Sequence, residues 1–177
     1  LLVLIEELPA PPAGFSAAPF RDHPDARVRR QALRLQLLGG ENRDSALVAA
    51  LRDSDGATRH LALVAVQHEC PAAAVTPVVE CTRDPALAPE DRVLAIRALG
   101  RAGGREAFAA ILAVTDGGTT LFGRPRLAPK SPELLAALAA LTQSWRRDPA
   151  AADVLARAAQ SPDAEIRAAT LVPRSEP

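Results

Sequence analysis

The apolar residues of this chain recur at intervals of three and four, in helix-length blocks separated by short polar or Gly/Pro segments. Between residues 25 and 38, Val28, Ala32 and Leu35 share one helical face, and the arginines of the block take the opposite face. This spacing is typical of an amphipathic α-helix. Similar blocks predict helices at 25–38, 42–52, 55–69, 71–82, 90–101, 105–115 and from 131 onward, with a weaker helix over 14–22.

Helix boundaries are marked by capping residues. A capping side chain followed by proline occurs at Ser131-Pro132, Asp148-Pro149 and Ser161-Pro162, and this order is favoured at the first turn of a helix. The pairs Gly39-Gly40 and Gly103-Gly104 predict helix ends. We therefore expect antiparallel helix pairs joined by short turns.

The helix starts also repeat along the chain. Aligned on a turn residue such as Asp25 and on the Arg29 and Ala32 that follow it, five units begin 30, 33, 45 and 30 residues apart. A period of this length is typical of stacked helical repeats, in which each unit buries its apolar face against its neighbours.

Residues 24–33 (PDARVRRQAL) and 162–171 (PDAEIRAATL) resemble HEAT repeats, particularly their short bacterial form. The resemblance covers roughly residues 14–171. It implies an all-α fold, a right-handed α-solenoid of about five HEAT-like helix hairpins. It also implies a non-catalytic scaffold for protein–protein interaction, with the concave face of the second helices as one contact surface.

In HEAT repeats, an acid near the turn and an arginine on the second helix usually form a ladder between neighbouring units. The resemblance assigns this role to Asp25, Asp55 and Asp163 with Arg29, Arg59, Arg92 and Arg167. Two positions depart from the pattern, since Ala88 replaces the expected acid and Ala137 the expected arginine. We therefore expect the ladder to be interrupted, and the stack to be loosest, at the fourth unit.

The two ends differ from the repeats. Residues 1–13 combine a short apolar run with Pro9, Pro11 and Pro12, which we interpret as the end of a preceding helix and a Pro-rich linker. The chain would then be part of a larger protein. Residues 172–177 are interpreted as a C-terminal tail, and residues 14–171 as the repeat array.

The net charge and the cysteine content of the chain bear on its partners and its compartment. The chain has 21 basic and 21 acidic residues, so its net charge exerts no overall attraction on nucleic acid or anionic lipid. Its two cysteines, Cys70 and Cys81, are predicted to lie on successive helices, too far apart for a disulfide. Reduced thiols and the lack of a membrane-spanning segment favour a cytoplasmic protein without membrane contact.

The 45-residue spacing between the third and fourth units is caused by an insertion at 116–130. Arg124, Arg126 and Lys130 lie there with Phe122, and no acid follows Asp116. Loops on a rigid scaffold often carry binding residues, so these three cations are candidates to hold an acidic partner protein or a phosphate, with Phe122 as an apolar anchor. In the alternative, Leu121, Phe122 and Leu127 pack back onto the fourth unit and the charges are only solvated.

Other HEAT-like proteins act on DNA or are enzymes. A DNA-glycosylase-like domain needs a basic surface with aromatic residues, for which residues 145–148 (WRRD) are the one candidate, although Trp145 is better interpreted as a seal between the fourth and fifth units. A bilin-lyase-like enzyme is supported by the repeats alone. A HEAT-like di-iron site needs several His-Glu pairs, and His68-Glu69 is the single one. We predict no catalytic residue, metal or cofactor.

Overall fold

The structure is a computed structural model that describes residues 15–39, 42–120 and 123–171. Within these ranges the chain is mostly helical, as predicted, with one small two-stranded sheet. The helices are α1 (Ala26–Gly39), α2 (Arg43–Leu51), α3 (Gly56–His68), α4 (Val75–Arg83), α5 (Pro89–Ala102), α6 (Gly104–Thr115), α7 (Pro132–Ser144), α8 (Pro149–Ala159) and α9 (Ala164–Ala168). The proposed linker at 1–13 and the tail at 172–177 lie outside the described residues.

Side-chain caps fix several helix starts. Ser131 accepts a hydrogen bond from the backbone N–H of Leu134 at the start of α7, and Asp148 accepts two at the start of α8. These two cap-then-proline starts are as predicted. At α9 the cap is Asp163, not Ser161, because the helix begins two residues later than the pattern indicated. The predicted helix over 14–22 is a short 3₁₀ turn, Ala18–Phe20.

The helices lie in two rows. Each odd-numbered helix contacts the next odd-numbered helix, from α1 through α3, α5 and α7 to α9. Contacts from α2 to α4 and from α4 to α6 form the second row, and neighbours in sequence pack across the two rows. The helix α8 packs on α7, α9 and the second strand of the sheet. The arrangement is a two-layered all-α fold.

One apolar cluster runs through both rows, from Leu33 on α1 to Ile166 on α9. Its fully buried large aliphatic side chains are Leu47, Leu63, Val66, Val78, Ile96, Leu99, Ile111, Leu134, Leu138 and Leu141. Each contributes about 1.5–3 kcal/mol of burial free energy. A smaller cluster joins Ala32 and Leu35 of α1 to Ala17, the residue just before the 3₁₀ turn Ala18–Phe20. The alanines at 32, 62 and 95 are fully buried, so their small size lets neighbouring odd helices approach closely.

The residues that precede the odd helices give a better alignment of the repeats. Asp25, Asp55, Ala88, Ser131 and Asp163 are separated by 30, 33, 43 and 32 residues. The sequence-based spacing of the last two intervals was therefore wrong by two residues. The insertion hid this shift, because nothing in its sequence marks where the repeat resumes. Leu135, rather than Ala137, occupies the arginine position of the fourth unit.

The insertion, predicted as a loop, contains the two strands β1 (Asp116–Thr119) and β2 (Pro125–Leu127). They pair antiparallel, with Asp116 opposite Leu127 and an irregular register towards Thr119. A side chain at Gly117 would place its Cβ only 2.1 Å from the carbonyl oxygen of Leu127, so the pairing requires glycine there. The hairpin is short and glycine-rich, which explains why alternation of apolar residues did not indicate it.

The odd helices α5 and α7 approach each other closely at Gly100. A Cβ on Gly100 would lie 2.9 Å from the Cβ of Ala140. A Gly→Ala substitution in a helix interior normally raises the free energy of unfolding by about 0.5–1 kcal/mol. Here we expect a net loss of roughly 1 kcal/mol, because overpacking of a tight interface costs about 1–3 kcal/mol. Urea denaturation of both proteins measures the difference in the free energy of unfolding.

Gly56→Ala is the matched control. Gly56 is also helical, and the nearest atom to its added Cβ is the flexible end of Arg59, at 3.8 Å. We expect this variant to be as stable as the wild type or slightly more stable. Equal stability of Gly100→Ala and the wild type would mean that α5 and α7 can separate at no cost.

Candidate functional site

An arginine near the start of most odd helices folds back onto the loop before it. Its Nη1 group donates hydrogen bonds to backbone carbonyl groups five and six residues earlier in the chain. The pairs are Arg29 with His23 and Pro24, Arg59 with Asp53 and Ser54, Arg92 with Leu87, and Arg167 with Ser161 and Pro162. The predicted ladder arginines therefore first hold their own turns in place.

Two of these arginines, Arg29 and Arg92, also form ion pairs with the unit that follows. We call such polar contacts between successive units ties. Arg29 forms a two-fold hydrogen-bonded ion pair with Asp53, with a closest N–O distance of 2.7 Å, and Arg92 reaches Glu133 at 2.8 Å. Asp53 had not been identified from the sequence, which had assigned Asp55 to this role. Asp55 instead pairs with Arg30 at 2.8 Å.

The ladder continues through the fourth unit, so the predicted interruption is wrong. Leu135 cannot form a tie, but Lys130, just before α7, contacts Asp163 at 2.8 Å and Glu165 at 3.1 Å. Between the second and third units, His60 takes the place of arginine and contacts Asp91 at 2.6 Å. Every pair of successive odd helices is thus joined by at least one polar tie.

These ties change the acidity of the groups involved. Hydrogen bonds from Arg29 hold the pKa of Asp53 below its ordinary value. Hydrogen bonds from Arg30 and Thr58 lower the pKa of Asp55 to about 2. The hydrogen bond to Asp163, with a second to Glu165, raises the pKa of Lys130. The carboxylates of Asp53 and Asp55 are therefore held in their charged form.

The pKa of Asp55 predicts a dependence of stability on pH. Because the unfolded-state pKa of Asp is about 3.9, the ionised carboxylate stabilises the fold fully above that pH, and this stabilisation is lost as the pH falls towards 2. Asp55→Asn keeps the helix cap but removes the charge. We expect Asp55→Asn to be less stable than the wild type at pH 7 and the gap to narrow between about pH 4 and 2. Urea denaturation across this range measures the gap.

Asp25→Asn is the control for the pH series. Asp25 also precedes an odd helix and accepts a hydrogen bond from the backbone of Arg27, but it forms no ion pair within the described residues. We expect the difference in the free energy of unfolding between Asp25→Asn and the wild type to be smaller than that for Asp55→Asn. A gap for Asp55→Asn that stays constant over the whole range would contradict the role of Arg30.

The candidate residues of the insertion are separated by the structure. Arg124 and Arg126 are exposed and form no ion pair with any described residue. They are two positions apart along an extended segment, which puts them on one face of the hairpin. Leu127 is half-buried against the main core. Lys130 belongs to the ladder, and Phe122 and Leu121 lie outside the described residues.

Lys130 should stabilise the short last helix. We expect Lys130→Ala to raise the backbone hydrogen-exchange rates of Ala164–Ala168, because Asp163 and Glu165 lose their partner at the start of this helix. Arg126→Ala is the control, since it removes an exposed charge from the same insertion without breaking an ion pair. Equal exchange rates in the two variants would show that the Lys130 tie does not hold α9.

A second candidate site is a groove of about 600 Å³ on the odd row, between α5 and α7. Its floor consists of the buried residues Gly100, Ala136 and Ala140. Its remaining lining is Gln67, Val93, Arg97, Arg101, Pro132, Leu135, Ala139 and Gln143. No carboxylate is among these residues. The sequence had indicated the face of the second helices, but not this groove.

The groove follows from the residues that α7 presents. In the alignment by helix starts, Ala140 occupies the position of Arg34, Val64 and Arg97 in the first three units. Alanine therefore replaces a larger side chain at this position, which leaves a depression in the surface beside α5. The side chain of Arg97 forms no hydrogen bond or ion pair with a described residue, while that of Arg101 donates to the backbone carbonyl of Gln67 at the end of α3.

The remaining candidates have structural roles. Trp145 packs on Phe108 of α6, within the fourth helix pair, with ring centroids 5.4 Å apart. Its observed aromatic partner is thus not in the fifth unit. Cys70 and Cys81 are free, and burial raises the pKa of Cys81 to about 11, which disfavours a reactive thiolate. Within the described ranges, no group of three or more His, Cys, Asp or Glu side chains could hold a metal ion.

The described part of the chain contains no helix with the length and apolar character needed to span a bilayer. Comparisons with protein-family models, with curated proteins and with solved structures found no match to this chain.

Proposed function

We propose that this chain is a non-catalytic, HEAT-like scaffold, a right-handed α-solenoid that binds another protein through its odd-helix face. The observation that carries the proposal is the groove between α5 and α7, whose lining is mainly apolar and which Arg97 and Arg101 border. Apolar grooves with a polar border are typical of protein-binding surfaces. The regular pairing of helices in two rows supports the repeat interpretation.

The hairpin is the second part of the proposed binding surface. Arg124 and Arg126 are exposed, unpaired within the described residues, and held on a two-stranded support. Such a pair suits carboxylates of a partner, because guanidinium groups form two parallel hydrogen bonds with them. Lys130 is already engaged with Asp163 and Glu165, so we give it a structural role.

Nucleic-acid binding is the second candidate, since Arg97, Arg101, Arg124 and Arg126 have no carboxylate partners among the described residues. A phosphate backbone would be held by these charges, and its binding would weaken steeply with salt. The groove lining contains no aromatic side chain on which a base could stack. We therefore place protein binding first. Neither a glycosylase-like nor a bilin-lyase-like activity is favoured by a particular contact.

A pull-down from nuclease-treated native lysate tests the proposal. We expect the wild type to capture a protein that Arg97→Ala/Arg101→Ala or Arg124→Ala/Arg126→Ala no longer captures. Arg83→Ala/Arg105→Ala is the matched control, because it removes two exposed, unpaired arginines of the even row. Lys130 is left unchanged, so that loss of binding cannot result from a loosened α9.

The outcomes separate the two candidates. Capture of the same proteins by all variants would contradict a role for both surfaces. Recovery of nucleic acid without protein, when nuclease is omitted, would favour the second candidate.

A further inference from the structure

We propose that the groove between α5 and α7 binds an acidic amphipathic helix of the partner protein. This assignment rests on the proposed function, since it names the partner of that surface. It commits to one occupant, a helical segment with apolar residues on one face and Asp or Glu beside them.

The charge of the groove determines the charge of the occupant. Arg97 and Arg101 are one helical turn apart on α5, so they border the same side of the groove. No carboxylate lines the groove, and Glu133 at the start of α7 is paired with Arg92. A bound segment must therefore bring its own carboxylates, and a basic segment would be repelled.

The shape of the groove favours a helix over an isolated side chain. The lining extends along α7 from Pro132 to Gln143, which is about 16 Å, or roughly three helical turns. Ala136, Ala139 and Ala140 leave room for Leu-sized side chains, while Val93 and Leu135 offer apolar walls. Residues of a helix at positions i, i+3, i+4 and i+7 would then enter the trough, as in other helix-in-groove complexes.

The hydrogen-bond donors that line the groove also favour an acidic partner. Gln67, at the α3 side of the groove, has a buried side-chain nitrogen without an acceptor. Arg97 has no acceptor within the described residues, and Arg101 uses one nitrogen for the carbonyl of Gln67. The two cationic groups of the groove thus have no carboxylate partner in its lining, and carboxylates of a bound segment would supply one.

The test is a selection of displayed peptides of about 15 residues, roughly four helical turns, on the intact protein. Sequences that also bind Ala139→Trp are removed, because this substitution fills the trough without changing its charge. We expect the remaining sequences to combine Asp or Glu with apolar residues at helical spacing. Their synthetic peptides should bind at least tenfold more weakly to Arg97→Glu/Arg101→Glu and equally well to Arg124→Glu/Arg126→Glu, as measured by fluorescence anisotropy.

Several results would overturn the assignment. These are groove-dependent sequences that are basic or uncharged, affinity that is unchanged by charge reversal at Arg97 and Arg101, and a selection with no groove-dependent sequence. Peptides that depend on Arg124 and Arg126 would overturn it while leaving the scaffold proposal standing. The scaffold proposal itself fails only if the pull-down captures the same proteins with every variant or recovers no protein. Circular dichroism of Ala139→Trp and the charge-reversed variant confirms that both are folded.

Discussion

The fold depends on the direct packing of each odd helix on the next. This constraint is tight between α5 and α7, the helices on either side of α6. The two backbones approach so closely there that Gly100 faces the Cβ of Ala140 with no space for a side chain. Such an approach allows Leu134, Leu138 and Leu141 to continue the core begun by the first three pairs. A larger residue at Gly100 would therefore strain the contact between α5 and α7.

The polar ties contribute less to the free energy of unfolding than the apolar packing does. Their main effect is on how successive units are positioned. Exposed ion pairs contribute about 0–1 kcal/mol each, much less than a buried leucine. Arg29 and Asp53 are better shielded than most, with side chains 15% and 10% exposed. The arginines of the odd helices also bind the carbonyl groups of their own turns, so one side chain fixes both a loop and its distance to the next unit. The ties therefore select the register of the stack.

The sequence predicted most of the helices because their ends carry local signals. Ser131, Asp148 and Asp55 cap helices in the structure as their residue types indicate. The strands of the insertion were missed, because Gly117 and its neighbours form a hairpin without apolar alternation. The role of Lys130 was also missed. It acts from outside the helix to replace an arginine that α7 lacks, and such a substitution depends on three-dimensional proximity to Asp163.

The candidate site was predictable only in part, for the same reason. Exposure of Arg124 and Arg126 could be expected from a polar insertion. The groove results from a relation between two helices, in which alanines of α7 stand beside the longer side chains of α5. With hindsight, Ala140 in the position of Arg34, Val64 and Arg97 is the signal. It becomes visible only after the helix starts have corrected the alignment.

The zero net charge of the chain does not decide its partner, because the local distribution of charge does. The groove presents two guanidinium groups and no carboxylate, next to apolar walls. Affinity for a polyanion grows with the number of phosphates neutralised, so the two cations of the groove alone would release few counterions. The proposed acidic helix would gain from both features at once, since its carboxylates would meet Arg97 and Arg101 while its apolar face would fill the groove. The combination of few charges with apolar area therefore favours a protein segment over nucleic acid.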